Sequence, residues 1–179
     1  MQYIALDFET TGVNCLKHHP LSVAAVYDDG VTPIDDLPRI YHKIPWEEIT
    51  LQRIAAKINW DLLRENLDRE HDAMDSFTND FGKLFREWLN SLGLGGQWIT
   101  IAGKNPSFDK GFLDQMNIGV RVRHRMIDPA ILYIEPGDKV IPDLKTCLLR
   151  AGITGLKLHD ALDDALAIVH LLRRKWNVR

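Results

Sequence analysis

Apolar and polar positions follow two rhythms along this chain, one short and alternating, the other recurring every three or four residues. Residues 3–6 (YIAL) form a compact apolar run that stops at Asp7 and predicts a buried strand. Residues 21–27 (LSVAAVY) predict a second strand, closed by the turn signal Asp28-Asp29-Gly30. Residues 40–44 (IYHKI) alternate loosely and predict a third, ended by Pro45, and the short loop before it favours antiparallel neighbours. From Trp46 to Leu92 the rhythm is helical. Residues 47–67 predict one or two short helices. Phe77, Phe81, Leu84, Phe85, Trp88 and Leu89 then draw one apolar stripe, with Ser76 as N-cap and Gly93 as the stop. Residues 98–102 (WITIA) predict a fourth strand and 124–127 a short fifth one. Further helices are expected over 106–116, with Pro106 in the first turn, over 144–150, ended by Gly152, and over 161–176, capped by Asp160 with Asp163 three residues on.

Three strands in succession, then strand–helix–strand–helix, imply an α/β fold: a mixed five-stranded sheet whose first three strands form an antiparallel meander, with helices on both faces. At 179 residues without a repeat or linker, residues 1–179 are expected to form a single domain. A domain of this length buries about 70% of the surface of its unfolded chain, so it needs neither disulfide nor metal to fold. Cys15 and Cys147 form no ligand pattern and suit a reducing compartment. No apolar run approaches the ~20 residues that cross a bilayer. The chain opens on MQYIALDFETTG with no signal-peptide pattern, and the expectation is a cytoplasmic protein without membrane contact. The net charge of −3 argues against nonspecific binding of long duplexes and weakly favours short or single-stranded ends.

Asp7 and Glu9 change the picture from fold to chemistry. Two acids two residues apart at a strand end share one face of the sheet. Without a basic neighbour they repel each other, unless a cation sits between them. Mg²⁺ and Mn²⁺, which take oxygen ligands, fit such a pair; a solvated strand end is the plain alternative. The turn Thr10-Thr11-Gly12 offers N–H groups and hydroxyls to a phosphate or sugar, or is only a turn. Asp109 falls in the first turn of its helix, at the sheet edge where open α/β sheets place ligands. Asp164 lies one turn inside the last helix among Ala161, Ala165 and Ile168, an inward position for an acid. His159, on the loop before it, suits general-base work because imidazole titrates near neutrality. Phe8 and Phe108 are candidates for stacking on a base, with core packing as their alternative. Lys104, Arg121, Arg123 and Arg125 either steer a nucleic-acid strand or form an ordinary solvated edge.

Taken together these residues resemble the DnaQ-like (DEDDh) 3′–5′ exonuclease superfamily. Asp7-Phe8-Glu9-Thr10-Thr11-Gly12 matches its first motif. Asn105-Pro106-Ser107-Phe108-Asp109 resembles the second, and His159-Asp160-Ala161-Leu162-Asp163-Asp164-Ala165 the third in its histidine form. The resemblance implies a ribonuclease H-like fold and hydrolysis of phosphodiester bonds from a 3′ end of DNA or RNA, releasing nucleoside 5′-monophosphates. Two divalent cations, Mg²⁺ or Mn²⁺, would be held by Asp7, Glu9, Asp109 and Asp164, with His159 as general base. Phe8, Thr10, Thr11, Gly12, Asn105, Phe108 and His159 would contact the terminal nucleotides, and Asp128 matches a recurrent aspartate read as structural.

Two features depart from the pattern. Ser22 stands where relatives often carry Glu or Gln, and residues 46–92 follow neither a proofreading subunit nor a tRNA-trimming enzyme. These departures leave the choice between DNA and RNA open, with a single-stranded 3′ end as the expected partner, and the short stretch from the last helix to Arg179 favours a stand-alone enzyme. A homodimer stays open, and association with a DNA polymerase is the less favoured arrangement. A noncatalytic nucleic-acid-binding module on the same fold is the competing reading. Retention of four acids and the histidine speaks against it.

Overall fold

The computed structural model describes residues 1–44, 50–67, 77–116 and 118–176. Its centre is a mixed four-stranded sheet. Strands β1 (Tyr3–Thr10), β2 (Pro20–Asp28) and β3 (Arg39–Lys43) form the expected antiparallel meander. Strand β4 is Trp98–Ile99 and β5 is Ile101–Ala102; β5 lies parallel to β1 on its other side, giving the order β3-β2-β1-β5. The first strand runs past its apolar segment to Thr10, so Asp7 and Glu9 sit inside a paired strand rather than beyond it.

The fourth expected strand is interrupted at Thr100, whose carbonyl accepts from the Ile4 N–H. The fifth is displaced. Strand β6 is Arg121–Val122, parallel to β4, and Ile127 makes only an isolated bridge to Ala102. Between these points the ladder is sparse: Arg123 N–H donates to Ile99 O, Ile127 N–H to Ile101 O, and Gly103 N–H to Ile127 O.

Alternation along β1 assigns its two faces. Ile4, Leu6 and Phe8 join Val23 and Ala25 beneath helices α3 (Phe77–Ser91) and α4 (Pro106–Gln115), against Phe81, Phe85, Leu89, Phe112 and Leu113. Tyr3 and Ala5 join Ala24, Val26 and Ala102 on the opposite face, against Ala161, Ala165, Ile168, Val169 and Leu172 of α6 (Ala161–Trp176). Alanines on both sides of that contact let α6 lie close to the sheet. Helices thus cover both faces. Over residues 81–89 of the α3 stripe the exception is Leu84, which is exposed. Its expected cap Ser76, and Trp46 at the start of the helical region, lie outside the described residues. Two short helices, α1 (Arg53–Ile58) and α2 (Trp60–Leu67), occupy the region where one or two were expected. Helix α5 (Leu144–Ala151), capped by Asp143 and ended by Gly152 at φ 67°, packs with Ala130 and Tyr133 on the outer side of α6.

The register of α6 on the sheet is set at its far end. Arg173 donates to both Asp28 oxygens, at 3.1 and 2.6 Å, and Tyr3 Oη donates to the same carboxylate at 2.6 Å, all of it buried. Asp28 is held below the usual carboxylate range by these donors, which outweigh the effect of its burial. Arg173 lies nine helical steps from Asp164, about 13.5 Å at 1.5 Å per residue. That anchor therefore brings Asp164 to the end of the sheet where β1 carries Asp7 and Glu9.

Candidate active site

Asp7 and Glu9 continue the row of Tyr3 and Ala5, so they face α6. A register shift between Glu9 and Thr10 marks a bulge at this end of the β1–β2 pair, a device that re-aims side chains beside functional sites. Asp164 comes down from the first turns of α6 and is buried. Its Oδ2 accepts the His159 N–H at 3.2 Å, while its Oδ1 is buried with no hydrogen-bond partner among the described residues. Asp109 reaches over from α4 on the other face and is also buried; its Oδ1 accepts the Phe8 N–H at 3.0 Å. Gly103 makes this approach feasible, because a Cβ there would stand 3.1 Å from Leu6 O and 3.3 Å from Asp109 Oδ2.

The electrostatics match this crowding. Burial, and then the charges of Asp109, Asp164 and Glu9, push the Asp7 carboxyl well above its ordinary value. Burial does the same to Asp109, against the pull of the Phe8 N–H. Burial raises Glu9 as well, opposed by the neighbouring Asn59 amide. Asp164 is pushed up to about 7, first by burial and next by Glu9. Acids that raise one another in this way gain from a bound cation. Glu9, His159 and Asp164 each offer a ligand atom within 4.8 Å of one another, and could hold a metal ion.

Two of the expected site residues carry the only left-handed non-glycine backbones among the described residues, Asn105 at φ 60° and His159 at φ 63°. Such conformations cost on the order of 1–3 kcal/mol and cluster at functional sites. The Asn105 strain is supported by Asp128, whose Oδ2 accepts the Asn105 N–H and whose Oδ1 accepts the Ala130 N–H. Asp128 thereby has the structural place expected of it. Asp160 caps α6 as expected, accepting from Leu162 and Asp163 N–H. Asp163 instead accepts the Lys157 N–H and ties down the loop that carries His159.

One cleft of about 370 Å³ gathers Asp7, Glu9, Thr10, Gly12, Phe108, Asp109, His159 and Asp164. Three expected contact residues are placed differently. Thr11 lies beneath the cleft, fully buried, its N–H and hydroxyl both engaged by the His19 backbone. Asn105 is outside the lining, its side chain accepting from Ser107 Oγ at 2.9 Å. Phe8 reaches the cleft wall but its ring is buried on the face away from the acids, 6.2 Å from Phe112. Alternation explains this, since residue 8 must point opposite to residues 7 and 9. Phe108 stays half-buried. Thr10 Oγ1 donates to Gly12 O, closing the turn, and a side chain at Gly12 would meet the His18 ring at 2.6 Å.

The sequence reading missed the wall contributed by α1 and its junction with α2. Gln52 accepts the Val13 N–H, and buried Asn59 donates to Thr10 O while its Oδ1 has no partner among the described residues. Ile54 and Ile58, both exposed, line the same cleft. The one available signal was Asn59 itself, a polar residue between Ile58 and Trp60. No protein-family model matches the chain, and no curated protein matches it.

Proposed function

We propose that the chain is a metal-dependent 3′–5′ exonuclease of the DnaQ-like (DEDDh) type, acting on a single-stranded end of DNA or RNA. The observation that carries this reading is the convergence of Asp7, Glu9, Asp109 and Asp164, from three separate elements, on one cleft beside His159. The residues fit divalent cations on two grounds. Their donors are hard oxygens, which Mg²⁺ and Mn²⁺ take, and Asp164 Oδ1 is a buried acceptor left without a protein partner. The sheet order β3-β2-β1-β5, extended by the sparse ladder to residues 121–127, is compatible with a five-stranded ribonuclease H-like sheet.

In this proposal the four carboxylates would hold two cations, which when bound would supply an activated water and neutralise charge on the leaving oxygen. The protein's own residues do the rest. His159, exposed on its loop at the cleft, accepts the proton of the attacking water. Its ring is aimed by a backbone held in the left-handed region and tied to Asp164 through its N–H. Thr10, Gly12 and Phe108, all in the lining of the cleft, limit the space for the terminal nucleotide. Among the described residues Lys104 is the one lysine or arginine that lines the same cleft.

The test is digestion of DNA and RNA of one sequence, labelled at the 5′ end, with Mg²⁺, Mn²⁺ or EDTA. The expected result is a metal-dependent ladder shortening from the 3′ end, with the faster ladder naming the substrate class. Well-folded protein that leaves both polymers intact would refute the proposal.

A further inference from the structure

The outer edge of the sheet, away from the carboxylate cleft, has a composition that its structural role does not explain. Arg121, Arg123, His124 and Arg125 are all exposed there, and Trp98 beside them is 56% exposed. Trp98, Arg123, His124 and Arg125 line one shallow concavity of about 350 Å³. Among the described residues none of these three arginine side chains has an ion-pair or hydrogen-bond partner. Arg64, Arg150 and Arg173, by contrast, pair with Asp61, Asp138 and Asp28. The chain as a whole is acidic at −3, so this is a local reversal of sign.

Charges on an edge strand discourage edge-to-edge aggregation, and that accounts for the arginines. It does not account for an exposed tryptophan among them. Unpaired guanidinium groups around an exposed aromatic face are the chemistry that grips single-stranded nucleic acid, by phosphate contact and base stacking.

Topology connects the edge to the cleft. Segment 121–127 runs parallel to residues 98–102, through the Arg123–Ile99 and Ile127–Ile101 backbone bonds. It ends at Asp128, which holds the Asn105 N–H and lies 3.8 Å from Lys104 Nζ, a group lining the cleft. Ile101 pairs with Ile4, which puts Trp98 level with Met1. Asp7 lies six strand steps from that level, roughly 20 Å at 3.3 Å per residue. A basic track thus leads from Trp98 along the edge to the catalytic end.

We infer that this edge is a second contact site for single-stranded nucleic acid, binding the body of a strand several nucleotides from its 3′ end. The placement of that end in the cleft rests on the proposed exonuclease reading; the binding site itself does not. The phosphates meet Arg121, Arg123 and Arg125, and one base stacks on Trp98.

The test is fluorescence anisotropy in EDTA, so that binding is read without turnover. The probes are labelled single-stranded DNA and RNA long enough to span both sites, and a labelled dinucleotide. Proteins compared are wild type, Trp98→Ala, and the triple variant Arg121→Ser/Arg123→Ser/Arg125→Ser, each checked by circular dichroism. The triple variant is expected to lower the slope of log affinity against log salt by about 2, at about 0.7 per lost phosphate contact on a single strand. Trp98→Ala is expected to weaken the long probe about tenfold, the scale of one stacked base. Dinucleotide binding stays unchanged in both. Long-probe affinity and salt slope that match wild type in folded variants would overturn the inference, as would equal competition by polyglutamate. Loss of long-probe binding in the variants, in a protein that never shortens an oligonucleotide, would leave this site standing and remove the exonuclease proposal instead.

Discussion

Replacing Asp164 with asparagine is expected to abolish turnover and at the same time to stabilise the metal-free protein at alkaline pH. Asp164 is pushed from its ordinary 3.8 to about 7, by burial and then by Glu9. An acid raised in this way keeps its proton in the folded chain at pH values where the unfolded chain has lost it. Between about 4 and 7 the native state therefore holds more protons, and stability falls as pH rises through that window. The loss is absent below the ordinary value and complete above about 7. Three pKa units at 1.36 kcal/mol each set a ceiling of about 4 kcal/mol. Asparagine keeps the shape and an acceptor for the His159 N–H, and has no charge to bury. In EDTA at pH 8 the Asp164→Asn variant should be more stable than wild type by about 2–4 kcal/mol. For a chain of this size that raises Tm by about 5–10 °C. At pH 4 the two should melt together. His19 and His170, both lowered chiefly by burial, favour the folded state as pH rises towards the ordinary imidazole range. They are common to both proteins and cancel in the difference. Thermal unfolding followed by circular dichroism at pH 4, 6 and 8 measures it. A variant less stable than wild type at pH 8, or a difference independent of pH, would refute the assignment of Asp164 as a buried, uncompensated acid.

Three further outcomes follow from the same geometry. Mg²⁺ or Mn²⁺ should raise the Tm of wild type more at pH 8 than at pH 5, because Asp7, Asp109 and Asp164 must all give up raised protons to bind it. Calorimetric titration in buffers of different ionisation heat should show that proton release. His159→Ala should lower turnover by about 10²–10⁴-fold, the usual reach of a general base, while leaving Mn²⁺ affinity nearly unchanged. A collapse of metal affinity would make His159 a ligand, as its place within 4.8 Å of Glu9 and Asp164 allows. Asp28→Asn should cost about 3–5 kcal/mol in urea unfolding, since it leaves Arg173 buried without its counter-charge.

Much of the site was readable because strand alternation and helix phase are strict. Asp7 and Glu9 had to share a face, and Asp164 had to turn inward with Ala161, Ala165 and Ile168. The same alternation, applied to the residue between the two acids, would have sent the Phe8 ring to the opposite core, where it packs on Phe112. Thr11 was misplaced for another reason. Its turn is closed by the backbone of His19, a partner eight residues away that no local pattern announces. Strand β6 escaped because Arg121–Val122 is two residues long and lies among arginines, so it carries no apolar alternation. Its pairing is imposed by the neighbouring β4. Asn59 escaped because a single amide at a helix junction has no period; only the tertiary fold brings it beneath Thr10. No described helix is long and apolar enough to cross a membrane, in line with the lack of any such run in the sequence.

Asp7 and its neighbouring acids are proposed to form one hydrolytic centre for a 3′ end. Its most direct test is a 5′-labelled single-stranded oligonucleotide incubated with Mn²⁺ and either wild-type protein or Asp7→Asn, purified in parallel and both confirmed as folded. The expected result is a ladder shortening one nucleotide at a time from the 3′ end with wild type and an intact oligonucleotide with the variant. An intact oligonucleotide in both lanes, or the same ladder in both, would contradict it.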